Sequence, residues 1–319
     1  MKTVLICGVS GQDGGYLAKL LLEKGYTVYG ASRDAQMSSF SNLKKMGVYE
    51  KVHKISVNIS DFRSVLQSIQ NIKPSEIYNL AGQSSVGLSF EQPVEAIESI
   101  SLGTLNLLEA IRFSGQAIKF YNAGSSESFG DTGGKIAHEN TQFKPSSPYA
   151  VAKASAFWQV ANYREAYGIF ACTGILFNHE SPLRPERYVT QKIVSTACRI
   201  ANGSTEKLLL GNIEIARDWG WAPEYVEAMW MMLQMDHAED YIIATGKTVK
   251  LKYFIEMVFK YLGLDWKNHV EIDTNLLRPT DIMGNYANPQ KANLELKWKA
   301  KYDVNDVVKF MIEDYKKSL

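Results

Sequence analysis

Tyr149 and Lys153 stand four residues apart in SPYAVAKASA. On a helix, positions i and i+4 share a face. An ammonium near a phenol favours the tyrosinate, so Lys153 can lower the Tyr149 pKa and make it a usable base. The same lysine can hold a nicotinamide ribose. A YxxxK pair is common by chance, and an exposed tyrosine above a solvated lysine is the plain alternative. A second polar cluster lies upstream in FYNAGSSESFG, which carries Ser125, Ser126, Glu127 and Ser128 just after an apolar run. A hydroxyl there can bond a substrate hydroxyl next to Tyr149. Glu127 is the informative residue. Oxidising an alcohol needs a base and a hydride acceptor but no carboxylate. Eliminating water needs a second acid/base group, which removes one proton and protonates the leaving hydroxyl. A loop carboxylate turned to solvent is the alternative for Glu127.

The segment GVSGQDG supplies a place for a cofactor, with glycines at Gly8, Gly11 and Gly14. It follows a strand-like run and opens a helical one, which is the context such a turn requires. Gly8 permits the tight turn, Gly11 lets the backbone approach a pyrophosphate, and Gly14 allows close helix–strand packing. The helix N-terminus then offers unpaired N–H groups to phosphate. The spacing is GxxGxxG rather than GxGxxG, so a glycine-rich turn without a ligand stays open on this motif alone. At the tip of the second strand a carboxylate would bond a ribose 2′-OH, whereas an arginine would accept a 2′-phosphate. The residues there are Ser32 and Arg33, with Asp34 after them. That points to NADP, the alternative being that Arg33 is a solvated surface charge.

These groups must be held by regular elements. Strand-like runs fall at Thr3 to Cys7, Thr27 to Gly30, Lys54 to Val57, Glu76 to Ala81 and Lys119 to Ala123. Helical patterns fall at Tyr16 to Glu23, Asp61 to Gln70, Gly103 to Phe113 and Pro148 to Tyr167. Such alternation implies βαβ units and a parallel sheet with helices on both faces. Lys144 to Ser147 and Ser181 to Arg187 read as loops. Further helices are expected at Ala222 to Leu233, Leu251 to Leu262 and Val304 to Tyr315. An α/β fold follows: a doubly wound parallel-sheet Rossmann domain over residues 1–175 and a smaller C-terminal α/β lobe over 176–319. The first carries the cofactor and the catalytic groups, and the second mainly the substrate. Some chain is expected to return to the main domain near Tyr241 to Ala244.

Composition narrows the class. The 319 residues are 45% hydrophobic and 22% charged, with a net charge of +1, so no field of one sign argues for nucleic acid or an anionic membrane. The three cysteines, Cys7, Cys172 and Cys198, are far apart and show no zinc spacing, so reduced thiols in a cytoplasmic protein and no metal are expected. MKTVLICGVSG runs straight into the glycine turn and reads as a first strand, not a signal peptide. No run approaches about 18 apolar residues, so no membrane span is expected.

With these parts in line, the chain resembles the extended short-chain dehydrogenases, and specifically the GDP-mannose 4,6-dehydratase family. The resemblance covers nearly the whole chain. It rests on GVSGQDGGYLAKLLLEKGY, EIYNLAGQSSVGLSFEQP, GTLNLLEAIR, SSESFG, SPYAVAKA, NYREAYG, GILFNHESP, RDWG and the RPTDI segment at Arg278. It implies a catalytic set of Ser125, Glu127, Tyr149 and Lys153. It maps NADP contacts onto Gly8, Val9, Ser10, Gly11, Gln12 and Asp13, onto Asn58 and Ile59, onto Leu80, Ala81, Gly82, Gln83 and Ser84, and onto Lys153, His179 and Arg184. It assigns the nucleotide sugar to Ser85, Asn178, Lys192, Arg217, Arg278 and Asp281. The implied reaction is 4,6-dehydration of a GDP-sugar in a closed redox cycle. C4 is oxidised with Tyr149 as base, Glu127 assists loss of water across C5–C6, and the hydride returns to C6. GDP-mannose leads as substrate, with a GDP-heptose or another GDP-sugar as variants. A net 4-dehydrogenase or reductase, and a non-enzymatic NADP-binding sensor, are the competing readings. Asn58 stands where the family usually has an aspartate; around the sugar pocket, Gln83 and Ser84 alter a loop and Trp221 follows RDWG where a histidine is common. The loop holding Ser38 to Phe40 carries one arginine where the family often has two. A homodimer through two long helices, or a homotetramer, is the expected assembly.

Overall fold

The computed structural model describes residues 2–317. Met1, Ser318 and Leu319, at the outer ends of the two expected lobes, lie outside the described residues. The first half alternates strands and helices: β1 (Thr3–Cys7), α1 (Gln12–Glu23), β2 (Thr27–Ser32), α2 (Ser41–Lys45), β3 (His53–Ser56), α3 (Phe62–Ile72) and β4 (Glu76–Asn79). Then come α4 (Val86–Glu91), α5 (Pro93–Ala96), a π-helical turn (Ile97–Leu102), α6 (Gly103–Ser114), β5 (Lys119–Ala123), α7 (Pro148–Tyr167) and β6 (Ala171–Leu176). The second half holds β7 (Asn178–Glu180), α8 (Val189–Ala201), β8 (Leu208–Leu210), β9 (Ala216–Trp221) and α9 (Ala222–Gln234). It ends with β10 (Tyr241–Ile243), β11 (Thr248–Lys250), α10 (Leu251–Tyr261), β12 (Val270–Ile272) and α11 (Val304–Lys316).

The main sheet has seven strands in the order β3-β2-β1-β4-β5-β6-β10, all paired in parallel. It is the doubly wound Rossmann arrangement the alternation implied. The strand order reverses between β1 and β4, and ligands in such sheets bind in the crevice outside that switch point. Chain from the second half does return. β10 pairs with β6, Tyr241 opposite Gly174, and α9 packs its buried methionines into the core beside α1. A separate core forms where α8, α10 and α11 close around Leu208, Leu210 and Trp219. Two small sheets, β11-β9-β7 and β12-β8, lie on that side.

Most departures from the sequence expectations have local causes. α1 begins at Gln12, four residues before its apolar pattern, because Gly14 and Gly15 carry no side chain to reveal it. β6 is buried at every position, so it shows no alternation to read. The π-helical turn bulges the chain just before α6, a feature often found at functional sites. α7 begins with a strong signal. Ser147 Oγ accepts a hydrogen bond from Ala150 N at 3.1 Å, and Pro148 fills the first helical position.

The glycine turn is packed where the switch point requires it. A Cβ on Gly14 would lie 2.5 Å from Gly8 O and 2.6 Å from Val9 Cα, whereas a Cβ on Gly11 would meet only Gly8 O at 3.4 Å. Gly14→Ala should therefore cost about 1–3 kcal/mol of stability by overpacking, and Gly11→Ala little. Urea denaturation of both variants checks this; equal losses would contradict the assigned packing.

Candidate active site

Two adjoining cavities open at the carboxyl ends of the strands. The groove beside the glycine turn has a volume of about 820 Å³ and is walled by Gly8, Ser10, Gly11, Gln12, Asp13 and Gly14 after β1. Ser32 and Arg33 at the tip of β2, Asn58 and Ile59 after β3, and Leu80 to Ser84 after β4 complete it. The second cavity, about 400 Å³, is lined by Ser125, Glu127, Tyr149 and Lys153 together with Ser85, Asn178, His179, Lys192, Arg217, Arg278 and Asp281. Asp13, Leu80, Ser84 and Arg184 border both. Of the residues assigned from the sequence to catalysis, cofactor or substrate, Val9 lines neither. Its side chain is buried in the core, against the space a Cβ on Gly30 would take.

The groove suits a dinucleotide. α1 has Gly11 as its N-cap and no side chain capping its first turn, which leaves N–H groups for an anion. A side chain on Gly11 would have open groove around it. Ser32 Oγ, at the strand tip, is buried without a partner. Asp34, the carboxylate that follows that tip in the sequence, is turned into its own loop, where Oδ1 accepts from Gln36 N at 2.9 Å and Met37 N at 3.2 Å. Asn58 Oδ1 likewise accepts locally, from Ser60 N at 3.2 Å.

The catalytic candidates converge because β5 and α7 lie side by side. Lys153 Nζ donates to Ala123 O, at the end of β5, at 2.7 Å. Ser125 Oγ accepts from Glu127 N at 3.2 Å and is hydrogen-bonded to Tyr149. The expected lowering of the Tyr149 pKa is not present in this structure. Burial dominates and drives the phenol upward, the Ser125 hydrogen bond opposes this, and the Glu127 charge adds to it. Lys153 has its ammonium on the Ala123 carbonyl, 5.8 Å from the phenol ring centre, and burial lowers its own pKa to about 8. Glu127 faces a cation that sequence reasoning had assigned elsewhere. Arg217 Nε lies 3.7 Å from Glu127 Oε1. The guanidinium is held by donation to Ala216 O at 3.0 Å and Ile282 O at 2.7 Å, and it approaches Asp281 at 3.4 Å.

A second constellation joins the cavities. His179 Nε2 donates to Asp13 Oδ2 at 2.9 Å and Nδ1 donates to Phe177 O at 2.8 Å. Both partners are oxygen acceptors, an arrangement that favours the doubly protonated ring. Burial works against charge on each partner, but their attraction exceeds it. Asp13 is held down at about 2 and His179 is raised. Arg184 donates to Glu180 Oε2 at 2.9 Å and to His179 O, fixing the same wall.

Trp221 is a correction. The sequence suggested that it borders the sugar, yet it packs on Phe310, with ring centres 5.0 Å apart, in the core beyond the cavity. Gln83 faces the groove and folds back on Ser85, accepting from Ser85 N at 2.6 Å. Asp218 and Tyr188 were missed. Asp218 is fully buried and ties down the 245–246 turn through Thr245 N, Thr245 Oγ1 and Gly246 N. Tyr188 bonds Ser84 across the cavity at 2.6 Å. Neither contact leaves a local sequence signal.

A family model described as GDP-mannose 4,6 dehydratase matches residues 5–311. The chain belongs to the GDP-mannose 4,6-dehydratase family. A relative in this family, GDP-mannose 4,6 dehydratase 1 of Arabidopsis thaliana, is 45% identical over 98% of this chain and 89% of its own length. The fold extends beyond the family. dTDP-glucose 4,6-dehydratase of Bacillus anthracis, solved with NAD, aligns with a TM-score of 0.86 at 20% identity, covering 99% of this chain and 97% of that one. RMD of Pseudomonas aeruginosa, solved with NADPH, aligns with a TM-score of 0.80 at 19% identity, covering 100% and 99%.

The Asp13–His179 pair predicts a pH signature for this family member. Asp13 has a depressed folded pKa, so its contribution is present above about 4 and lost as pH falls toward about 2. The raised His179 pKa acts oppositely, adding stability below about 6.5 that is lost as pH climbs through the folded value. Asp13→Asn should cost about 2 kcal/mol near pH 5–6. In urea melts from pH 3 to 8 the gap should be widest near pH 5–6, narrowing toward the acid end as Asp13 is protonated and again as His179 loses its proton; a constant gap would contradict the ion pair.

Proposed function

We propose that this chain is an NADP-dependent 4,6-dehydratase of a GDP-sugar, with GDP-mannose as the substrate and a 4-keto-6-deoxy sugar as the product. One observation carries the reading: Glu127 and Tyr149 face the same cavity with Ser125 between them. An oxidoreductase acting on an alcohol has no use for the carboxylate, whereas removal of water needs it.

When bound, the oxidised nicotinamide supplies the reversible acceptor for hydrogen from C4 and a positive charge beside Tyr149. The chain supplies the rest. Ser125 and Tyr149 hold the sugar 4-OH, and the phenol side accepts its proton. The Tyr149 pKa is raised in the free protein, so this step draws on cationic charge near the ring, from Lys153 and from the bound cofactor. Lys153, with a pKa of about 8, is charged in most molecules at neutral pH. A ketone at C4 acidifies the C5 hydrogen. Glu127 removes that proton and passes one to the 6-hydroxyl, which departs as water, with Arg217 balancing its charge. C6 would then gain the hydrogen taken from C4 and C5 a proton from solvent by way of Glu127, while the proton taken by Tyr149 returns to solvent. Lys192 and Arg278 give the cavity cations for the nucleotide diphosphate. That remote binding energy positions the sugar.

Arg33 at the groove wall, with Asp34 turned away, supports NADP over NAD. The exposed Val151 and Trp158 on α7 are consistent with a homo-oligomer paired through α6 and α7. The three buried free cysteines suit a reducing cytoplasm.

The deciding test is the mass of the product formed from GDP-mannose with catalytic NADP+. A product lighter by one water with no net change in cofactor absorbance supports the dehydratase. A loss of two hydrogens with stoichiometric reduction would mean a 4-dehydrogenase. Turnover only of a GDP-heptose or another GDP-sugar would move the substrate assignment. Glu127→Gln should lower turnover by about 10²–10⁴-fold while leaving substrate binding intact; unchanged turnover would remove Glu127 from the mechanism. Tyr149→Phe should stop oxidation at C4, and full activity in that variant would refute the base assignment.

A further inference from the structure

The adenosine end of the groove carries an ion pair that the proposed reaction leaves unexplained. Arg33, just past β2, donates to Glu95 Oε1 at 2.7 Å. Glu95 sits on α5, and both residues line the groove near Ser32, Asn58 and Ser60. Their side chains are 69% and 38% exposed, so the pair adds little to folding. Its place in the groove gives it another consequence.

A 2′-phosphate and a free ribose 2′-OH ask opposite things of this spot. The phosphate wants an unpaired guanidinium, whose fork can donate two bonds. The hydroxyl wants a carboxylate acceptor. The usual source of that carboxylate is the end of the second strand, and here Asp34 is spent on its own turn. Glu95 delivers one from a different element. The other charged residues on the groove wall are engaged: Asp13 with His179, and Arg184 with Glu180. Arg33 is thus the cation available to a 2′-phosphate, and Glu95 its direct competitor.

We propose that Glu95 sets the cofactor selectivity of this enzyme. It partly neutralises Arg33 toward a 2′-phosphate and offers an acceptor to a free 2′-OH. The groove therefore prefers NADP less strongly than Arg33 alone would make it do. A phosphate entering the site must take Arg33 from Glu95 and remain close to a carboxylate. Removing the charge of Glu95 relieves both terms for NADP and removes a favourable contact for NAD. The inference rests on reading the groove as a nicotinamide dinucleotide site.

Calorimetric titration of the intact protein with NADP+ and with NAD+ tests it without any assay of turnover. Glu95→Gln should tighten NADP+ about fivefold and weaken NAD+ about twofold, a shift of about tenfold in their ratio, for a solvated charge contact. The shift should shrink at high salt, because exposed charges are screened. In an Arg33→Ala background the gain for NADP+ should be much reduced, since the two residues act through each other. If Arg33→Ala weakens NADP+ selectively but Glu95→Gln leaves the ratio unchanged, the role of Glu95 is overturned while the groove assignment stands. Equal weakening of both cofactors by Glu95→Gln would mean that it only shapes α5, and would also overturn it. If neither dinucleotide binds the unaltered protein, the cofactor reading falls and this inference falls with it.

Discussion

The ion pair between Asp13 and His179 joins two parts of the chain that must act together. Asp13 belongs to the glycine turn after β1, and His179 to the short strand β7 that leaves the main sheet for the smaller lobe. Their contact lies on the wall between the cofactor groove and the catalytic cavity. His179 is further fixed by stacking on Tyr225, with ring centres 4.5 Å apart, and Tyr225 belongs to the helix that follows the RDWG strand. One buried charge contact thus sets the distance between whatever binds the turn and whatever lies against β7 and β9. A closed redox cycle depends on that distance, because hydrogen must leave and re-enter the same substrate without escape of either partner.

Around this pair, burial tunes the chemistry. The phenol of Tyr149 and the ammonium of Lys153 are both kept from water, and in each case desolvation favours the neutral form. Burial thus weakens the hold of Lys153 on its proton and keeps the Tyr149 phenol protonated, while Glu127 and Arg217 face each other across the cavity. Such a site responds strongly to a charged ligand, since fields act over low-dielectric walls. On the proposed reading, a positive ring and a diphosphate would complete the charge balance that oxidation requires.

Much of this was legible in the sequence because it is local. The GVSGQDG turn, the Ser-Pro start of α7 and the strand at Lys119–Ala123 each declare themselves within a few residues. The doubly wound parallel sheet was also readable from the βαβ rhythm, whereas its strand order was not. What escaped was contact between distant residues. Nothing near Arg33 indicates Glu95, nothing near Arg217 indicates Glu127, and the burial that raises the Tyr149 pKa comes from the whole cavity. Trp221 misled because a change at a motif's edge suggests a changed pocket, whereas the side chain turns outward to Phe310. α8 was hidden because its sequence, VTQKIVSTACRIA, mixes β-branched residues with its apolar stripe.

The central claim is that one cavity oxidises C4, eliminates water and reduces C6 without releasing hydrogen to the medium, while Glu127 exchanges the C5 proton with solvent. The most direct measurement is the NMR location of label in the product formed from GDP-mannose deuterated at C4, and separately in the product formed from unlabelled substrate in deuterium oxide. The account predicts that the C4 deuterium reappears at C6 and that solvent deuterium enters at C5. Loss of the C4 label, or a product whose C5 carries no solvent deuterium, would contradict it.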